Sequence, residues 1–397
     1  MHDTIELQVW ETTMRMDNKI SPHELVKRVR AKSEDVRGPY YRDTTAIIHS
    51  SAFRRLKHKT QVFFAPSNDH ICTRIEHSLH VASIASTICR GLGLDSELAW
   101  AIGMGHDLGH TPFGHTGEKI ISAMMKESGL PPFEHEVHSL RVVDFLANEG
   151  RGLNLTYAVR DGIASHNGEK LQKSVMPTFT VKDLGAIESR VGILPATWEA
   201  AVVRQSDTIA YIGRDMEDAV RLGLIEWGDL DEAVRARLGS SNAQIIDTLV
   251  MDIIESSTTE EGITFSQSCF PAVQAMMRFN YQHIYKSRLL EGYERYFSRL
   301  LRLIVDYLRY LIDECSDDEA RWREERNMLA AGFYRHYKEM RDAYLSHDGN
   351  LDRLVYDYVA GMSDTFCLDC ANEILKPEHL NDEIASAMTG KWFDAPR

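Results

Sequence analysis

The chain has 397 residues, of which 43% are hydrophobic and 26% charged, a composition typical of a globular protein. Its formal net charge of -14 argues against a broad nucleic-acid-binding surface. No apolar run reaches the length of a membrane-spanning helix and the acidic N-terminus lacks a secretory signal, so we expect a cytoplasmic protein without membrane contact.

Helical periodicity is strong along the chain, whereas strand signals are weak. Apolar residues recur at three- and four-residue spacing over 75–92 and predict one helix. Asp95 is the expected N-cap of the next helix, and Pro112 and Gly114 interrupt the helical pattern after it. The polar segment 167–182 is predicted to be a loop or lid. Further helices are predicted over 134–148, 197–222, 289–315 and 318–345. The predicted fold class is all-α, with any strand limited to a short hairpin.

A soft boundary near residues 239–243, where GSSNA interrupts the helical pattern, divides the chain into two parts. Residues 1–240 hold nearly all of the clustered His and Asp residues and are interpreted as a catalytic core with an N-terminal extension. Residues 241–397 are amphipathic helices rich in Arg, Tyr and Leu. We expect this C-terminal region to pack on the core as a helical appendage and to form the interface of a homo-oligomer.

A cationic segment precedes the histidine-rich region and contains Arg54, Arg55, Lys57, His58 and Lys59. In an acidic protein such a cluster suits a small polyanion better than a long polymer, and a solvated helix face is the alternative.

The six cysteines are scattered, except for Cys367 and Cys370. A single CxxC in a helical context lacks the second pair that a zinc ribbon needs. The thiols are therefore predicted to be reduced and free of metal, and the sequence assigns no role to the CxxC pair.

The segment AIGMGHDLGHTPFGHTGE gathers three histidines and two carboxylates within thirteen residues, 106–118. Imidazoles and carboxylates are costly to bury without partners, and the apolar residues between them argue against a solvated loop. The pattern therefore predicts a metal site with its acid/base groups. His106 and Asp107 follow an apolar helix, and both can reach one metal if the helix ends there. An isolated His–Asp pair is a weak signal, so further ligands are needed.

Two more candidate ligands lie on other predicted helices. Antiparallel packing of the 75–92 helix against the next one can bring His77 beside His106. Asp207 lies among apolar neighbours in the 197–222 helix and needs a partner if it faces inward. The predicted ligand set is His77, His106, Asp107 and Asp207. It suits one divalent ion, and Mg²⁺, Mn²⁺, Ni²⁺, Fe²⁺ and Zn²⁺ remain open.

Candidate acid/base groups surround the His–Asp pair. His115 and Glu118 are spaced so that the carboxylate can orient the imidazole and favour its charged form. His135 begins another predicted helix, and an imidazole can donate a proton to a leaving oxygen. His110 follows the His–Asp pair by one turn. A structural role is the alternative for His135 and the preferred interpretation of His138.

These motifs resemble the HD-domain deoxynucleoside triphosphate (dNTP) triphosphohydrolases, the dGTPase-like enzymes. The matching stretches run in family order from about residue 40 to 366 and are YRDTTAIIHSSAFRRLKHKTQVF, TRIEHSLHVASIA, GHDLGHTPFGHTGE, FEHEVHSLRVV, GLNLTYAVRDGI, DTIAYIGRD and DYVAGMSDTF. A single HD pair is unspecific, but GHDLGHTPFGHTGE followed by FEHEVHSL is highly specific.

The resemblance implies an all-α HD-domain core around one divalent metal. It also implies hydrolysis of dGTP, or of a broader set of dNTPs, to deoxynucleoside and inorganic triphosphate. The metal ligands implied by motif match are His77, His106, Asp107 and Asp207. The implied acid/base group is His115, Glu118 and His135, with His110 as a phosphate-contacting histidine. The implied substrate contacts are Gln61 and Arg74 for the nucleotide and Tyr211 and Asp215 for the deoxyribose. Whether a second dNTP acts as an allosteric effector stays open.

The chain departs from the common family pattern at two positions. Thr208 stands where many members carry a second carboxylate, and Arg214 stands where many carry a histidine before the sugar-contacting acid. Neither position belongs to the predicted metal-ligand set. The family resemblance therefore says less about base preference and allosteric behaviour than about the metal.

Two alternatives to this function stay open. Other HD enzymes cleave cyclic nucleotides, nucleoside monophosphates or the alarmone pyrophosphate, but they lack the HTPFGHTGE loop joined to the IAY helix. A non-catalytic nucleotide sensor that kept the pocket is the second alternative, and the intact ligand set and acid/base groups argue against it.

Overall fold

The structure is a computed structural model that describes residues 16–33, 35–64, 68–167 and 171–376. Almost all regular structure in these ranges is helical, so the predicted all-α fold class is confirmed. The α-helices of the first half are α1 (Pro22–Leu25), α2 (Pro39–His49), α3 (Ser51–Arg55), α4 (Arg74–Leu92), α5 (Ser96–Gly105), α6 (Gly114–Glu127), α7 (His135–Arg141), α8 (Tyr157–Ser165) and α9 (Trp198–Arg221). Those of the second half are α10 (Glu232–Leu238), α11 (Asn242–Ser256), α12 (Phe270–Asn280), α13 (Arg288–Cys315), α14 (Glu319–Glu324), α15 (Met328–His347), α16 (Asp352–Ala360) and α17 (Asp364–Leu375). Short 3₁₀ or π segments cover Leu56–His58, Val142–Leu146, Leu184–Ala186, Trp227–Asp229 and Tyr281–Tyr285.

The helices predicted around the histidine-rich region are confirmed. α4 fills the predicted 75–92 segment, and the Asp95 carboxylate caps α5 by accepting hydrogen bonds from the backbone N–H groups of Glu97 and Leu98 at 2.9 and 3.1 Å. α9 matches the predicted 197–222 helix, with the Thr197 hydroxyl as its N-cap. The predicted helix over 134–148 is α7 continued by a π-helical turn.

Two predictions about the elements are wrong. The helix predicted over 318–345 is two helices, α14 and α15, because Arg326 takes a left-handed conformation (φ 49°) and Asn327 caps a new helix. The short strands β1 (Ser174–Val175) and β2 (Ile263–Thr264) pair antiparallel but come from distant parts of the chain, so they form no hairpin. β1 lies in the predicted 167–182 loop, of which residues 168–170 lie outside the described ranges.

The chain folds into two compact units, and the first consists of Met1–Thr45, Ser78–His106 and Leu155–Ile284. In this unit α5 packs against α8 and α9, and α9 also packs against α11 and α12. A Cβ at Gly103 would lie 2.7 Å from the Cα of Ala82, so only glycine lets α5 approach α4 this closely. This close packing fixes the C-terminal end of α5, where His106 lies.

The second unit consists of Ala46–His77, Asp107–Asn154 and Tyr285–Arg397. Its central helix is α13, which packs against α6, α16 and α17 around a large apolar core. Phe113, immediately before α6, stacks on Phe297 of α13 with ring centroids 3.9 Å apart. The core therefore anchors the N-terminal end of α6, the helix that carries His115 and Glu118.

The sequence-predicted boundary at 239–243 falls between α10 and α11, which both belong to the first unit. The division into a core over 1–240 and an appendage over 241–397 stays a prediction, and residues 1–15 and 377–397 lie outside the described ranges. None of the described helices combines the length and apolar character needed to cross a membrane. All six cysteines are buried free thiols.

Candidate active site

In the first unit, His106 and Asp207 face each other. The Nδ1–H of His106 donates to the carbonyl of Gly103 at 2.7 Å, so Nε2 is the nitrogen left for another partner. This Nε2 lies 3.9 Å from Oδ1 of Asp207 on α9. Two donors that each bind one ion at about 2.1 Å lie about 3 to 4 Å apart, so this pair has the separation and chemistry of two ligands of one metal.

In the second unit, the Asp107 carboxylate holds two partners. Arg74, the first residue of α4, donates from Nη1 to Oδ2 at 2.7 Å, and Nε2 of His110 lies 3.3 Å from Oδ1. Burial lowers the pKa of His110 well below its usual value, and the nearby Arg74 adds to this, so the ring is neutral at pH 7. His77 is buried one helical turn after Arg74 on the same helix.

The predicted acid/base residues also come together in the second unit. The Glu118 carboxylate lies 3.0 Å from Nδ1 of His135 and 3.6 Å from Nδ1 of His115, and it accepts the backbone N–H of His135 at 3.2 Å. The rings of His110 and His135 stack with centroids 3.8 Å apart. Each of these four side chains offers a donor atom within 4.8 Å of the others. Such a group can relay protons or bind a cation.

Glu118 is kept ionised by its neighbours. Burial alone would raise its pKa, but the charge of His135 and the hydrogen bonds from His115 and His135 hold the pKa of Glu118 well below its usual value. A carboxylate that stays negative favours the protonated form of the imidazole it contacts. The arrangement therefore suits a proton donor oriented by Glu118.

The loop between the His–Asp pair and α6 is held by tight backbone contacts. A Cβ at Gly109 would lie 2.2 Å from the backbone nitrogen of Ser139, so this position requires glycine. The N–H of Gly109 donates to the Ser139 hydroxyl at 2.8 Å, and its carbonyl accepts from Nδ1 of His138 at 2.8 Å. These contacts agree with the predicted structural role of His138.

A buried brace that sequence reasoning missed also holds this loop. The ammonium of Lys59 donates to the carbonyls of His110 and Ala360, the latter at 2.8 Å. The Asp364 carboxylate accepts the N–H groups of Thr60 and Phe113, both at 2.9 Å. Lys59 and Asp364 both lie in stretches that carry the family resemblance, but nothing in the sequence predicts these contacts. Carbonyls accept two of the three ammonium protons of Lys59, and the expectation that cations of the 54–59 segment meet a polyanion stays a prediction.

The brace predicts a pH-dependent contribution to stability. Burial lowers the pKa of Lys59 from 10.5 to about 7, and the nearby cations of Arg55 and Arg74 contribute to the decrease. Between these values the unfolded chain binds more protons than the folded one, so the contribution of Lys59 to stability rises with pH. Between pH 7 and 10, the free energy of unfolding of the wild type should rise relative to that of Lys59→Met. The expected rise is up to about 1.4 kcal/mol for each pH unit. Urea titrations at several pH values measure this difference, and a difference independent of pH would contradict the assignment.

The substrate-binding candidates of the second unit contain unsatisfied polar atoms. Arg74 is 1% exposed, and its Nε and Nη2 have no hydrogen-bond partner among the described residues. The same holds for Oε1 of Gln61 and Nδ1 of His110. A Cβ at Gly114 would lie 2.9 Å from the Gln61 carbonyl oxygen and 3.3 Å from Nη2 of Arg74. Glycine at the start of α6 thus keeps the space beside these groups clear of a side chain.

The sugar-contact candidates lie on α9 in the first unit. Asp215 is buried and Tyr211 is partly buried, with its hydroxyl 3.9 Å from Sδ of Met277. Arg214, where many family members carry histidine, donates to Glu217 at 2.6 Å and lies 3.5 Å from Nε2 of His80. Thr208, the second departure, is buried.

Comparison with known proteins matches residues 74–212 to the HD domain and residues 263–373 to the phosphohydrolase-associated domain. The chain is 35% identical to a deoxyguanosinetriphosphate triphosphohydrolase-like protein of Caldanaerobacter subterraneus subsp. tengcongensis, over 94% of this chain and 97% of that protein. Proteins of the same description from Clostridium tetani and Desulfatibacillum aliphaticivorans are 33% and 34% identical, over 88% and 86% of this chain and 89% of each relative.

Proposed function

The chain belongs to the deoxyguanosinetriphosphate triphosphohydrolase-like family of HD-domain phosphohydrolases, and we propose that it hydrolyses dNTPs to deoxynucleoside and inorganic triphosphate. We propose dGTP, or a broader set of dNTPs that includes it, as the substrate. The family resemblance and the descriptions of the relatives support this choice.

The observation that carries the proposal is the buried guanidinium of Arg74. One of its nitrogens binds Asp107, while Nε and Nη2 are buried without hydrogen bonds among the described residues. Leaving a buried donor unsatisfied costs about 1 to 3 kcal/mol, and more for a charged group. Phosphate oxygens are the natural partners of a guanidinium, so this residue fits a triphosphate.

We propose that His77, His106, Asp107 and Asp207 hold one divalent ion. The separation of His106 and Asp207, and the burial of all four side chains, support this set. A neutral imidazole with its other nitrogen on a backbone carbonyl is the usual form of a metal-binding histidine. When bound, such an ion polarises a phosphate oxygen and lowers the pKa of water. The donor set accepts several divalent metals, so the native ion is left open.

The remaining residues have separate roles in this proposal. Arg74 binds the phosphates, and His110, which the family resemblance implies as a phosphate-contacting histidine, lies on the same Asp107 carboxylate as Arg74. Glu118 accepts from Nδ1 of His135 and lies 3.6 Å from Nδ1 of His115, so the Nε2 of each ring is the nitrogen that can deliver a proton. The group leaving the α-phosphorus is the 5′ oxygen of the deoxynucleoside, an alkoxide that needs this proton.

Product analysis tests the function directly. The protein, reconstituted with each divalent metal, is incubated with every dNTP and NTP, alone and in pairs, and the products are separated by ion-exchange chromatography. Release of inorganic triphosphate from dGTP supports the proposal. Pyrophosphate or monophosphate as the phosphorus product identifies another HD phosphohydrolase. Nucleotide binding without hydrolysis identifies a sensor.

The paired incubations also address regulation and assembly. We propose a homo-oligomer in the cytoplasm, as the family resemblance implies, and leave open whether a second dNTP activates it. Faster hydrolysis of one dNTP in the presence of another would reveal such an effector.

A further prediction concerns recognition of the sugar by Asp215 and Tyr211 on α9. Asp215→Ala should raise the KM for dGTP by roughly 10- to 100-fold, the effect of losing a hydrogen bond to a charged group, while metal content stays unchanged. Steady-state kinetics and metal analysis of the same preparation measure both quantities. The matched control is Asp231→Ala, which removes an exposed acid that caps α10. Equal hydrolysis of GTP and dGTP by the wild type would show that the sugar assignment is wrong.

A further inference from the structure

The second unit contains a cavity of about 510 Å³ that is separate from the proposed catalytic residues. Its walls come from α3, the π turn after α7, α15, α16 and the start of α17, and they include Arg55, Val142, Met340, Tyr358 and Phe366. The lining includes neither Arg74 nor the group formed by His110, His115, Glu118 and His135. The volume is in the range of pockets that bind small organic molecules.

Arg55 is a cation of this cavity that makes no direct ion pair among the described residues. Its side chain keeps contact with solvent through the cavity. The protein around it is nevertheless dense, and this desolvation lowers the pKa of the guanidinium. Within the described ranges Arg55 makes no ion pair or hydrogen bond. A guanidinium held in a cavity without a partner favours an oxyanion.

Two further features of the walls offer polar contacts to a ligand. Nε2 of His336 is buried without a hydrogen-bond partner among the described residues, and burial lowers the pKa of this ring to about 4, so the ring is neutral and offers a hydrogen bond but no charge. The N-terminal end of the twelve-residue helix α17 reaches the cavity through Ser363 and Phe366, and the Asp364 carboxylate in its first turn offsets part of the positive end of the helix dipole.

The acidic residues of the cavity limit the charge that it accepts. Asp357 already accepts from Nε of Arg141 and the hydroxyl of Tyr344, both at 2.8 Å, so its charge is balanced. Glu149 and Glu339 are exposed and disfavour a polyanion. The apolar part of the wall suits an organic body rather than a bare ion.

We propose that this cavity binds an organic molecule carrying a single phosphate group, of nucleoside monophosphate size, with Arg55 as its phosphate ligand. The proposal goes beyond the proposed hydrolysis and needs no catalytic activity. The site borders the catalytic loop, because His138 in its wall lies 3.2 Å from Asp357 and binds the Gly109 carbonyl at 2.8 Å.

Calorimetric titration with dGMP, deoxyguanosine and inorganic phosphate tests the site, with hydrogen–deuterium exchange to locate binding. The wild type should bind dGMP at least about tenfold more tightly than either fragment, and dGMP should protect residues 358–366 from exchange. Arg55→Gln should lose this protection and weaken that binding at least about tenfold, about 1.4 kcal/mol. The matched control is Arg335→Gln, which removes an exposed arginine of α15 that does not line the cavity and should change the affinity less than twofold.

Arg55→Lys keeps the positive charge but lacks the two-pronged guanidinium, so it should bind dGMP with intermediate affinity. Such a result would show that Arg55→Gln weakens binding by removing the phosphate ligand and not by unfolding the protein. Unchanged protection of 358–366 in Arg55→Gln would overturn the proposal. Absence of dGMP binding by the wild type would also overturn it, whatever the outcome of the hydrolysis assays.

Discussion

Replacement of Asp107 by alanine should remove the bound metal and lower phosphohydrolase activity by more than about 10³-fold, because a metal ion contributes several kcal/mol of transition-state stabilisation. Asp107 follows His106 directly in the chain, so the two can present a carboxylate and an imidazole to one ion. Metal analysis by mass spectrometry after reconstitution and dialysis gives the ions bound per chain, and product analysis gives the rate.

The Asp107 experiment needs two controls because this carboxylate also binds Arg74 at 2.7 Å. Its loss leaves a buried guanidinium unpaired and lowers stability, so the fold of the variant must be checked by circular dichroism. Asp107→Asn keeps the shape and one acceptor for Arg74, and it should still lose most of the metal. Asp318→Ala removes an exposed acid that caps α14 and should retain metal and activity. Full metal occupancy in a folded Asp107→Ala variant would contradict the ligand assignment.

Local sequence signals predicted the helices that carry the proposed metal ligands. The apolar spacing over 75–92 gave α4, and an aspartate before an apolar run gave the N-cap of α5. The break at Arg326 was missed because an arginine in the left-handed conformation follows no local pattern and the helical periodicity continues across it.

The missed contacts of the site are those set by tertiary packing. The spacing of His115 and Glu118 predicted their pairing, but the structure places His135 closer to the same carboxylate, at 3.0 Å against 3.6 Å. Lys59 contacts a carbonyl 301 positions away, at Ala360, and no periodicity relates such residues. Pairs of residues within one helix can therefore be predicted from their spacing. Contacts between residues of different elements cannot be predicted without the three-dimensional fold.

The His115 side chain, beside Glu118, is 55% exposed, whereas His135 is almost completely buried. The exposed ring can meet a substrate with little rearrangement, and Glu118 stays ionised to favour its protonated form. His135, which stacks on His110, is better placed as a second member of the relay that orients Glu118. We therefore propose His115 as the proton donor to the 5′ oxygen.

His115→Ala should keep metal and nucleotide binding while kcat falls by roughly 10²- to 10⁴-fold, the usual effect of removing a general acid. Rapid-quench kinetics measures kcat, and calorimetry with a non-hydrolysable dGTP analogue measures binding. The control is His49→Ala, an exposed histidine at the end of α2 that should leave both unchanged. Hydrolysis in ¹⁸O-labelled water should place the label in triphosphate, because water attacks the α-phosphorus and the 5′ oxygen leaves with the deoxynucleoside. Label in the deoxynucleoside would rule out attack at phosphorus. A near-normal kcat in His115→Ala would show that another group is the proton donor.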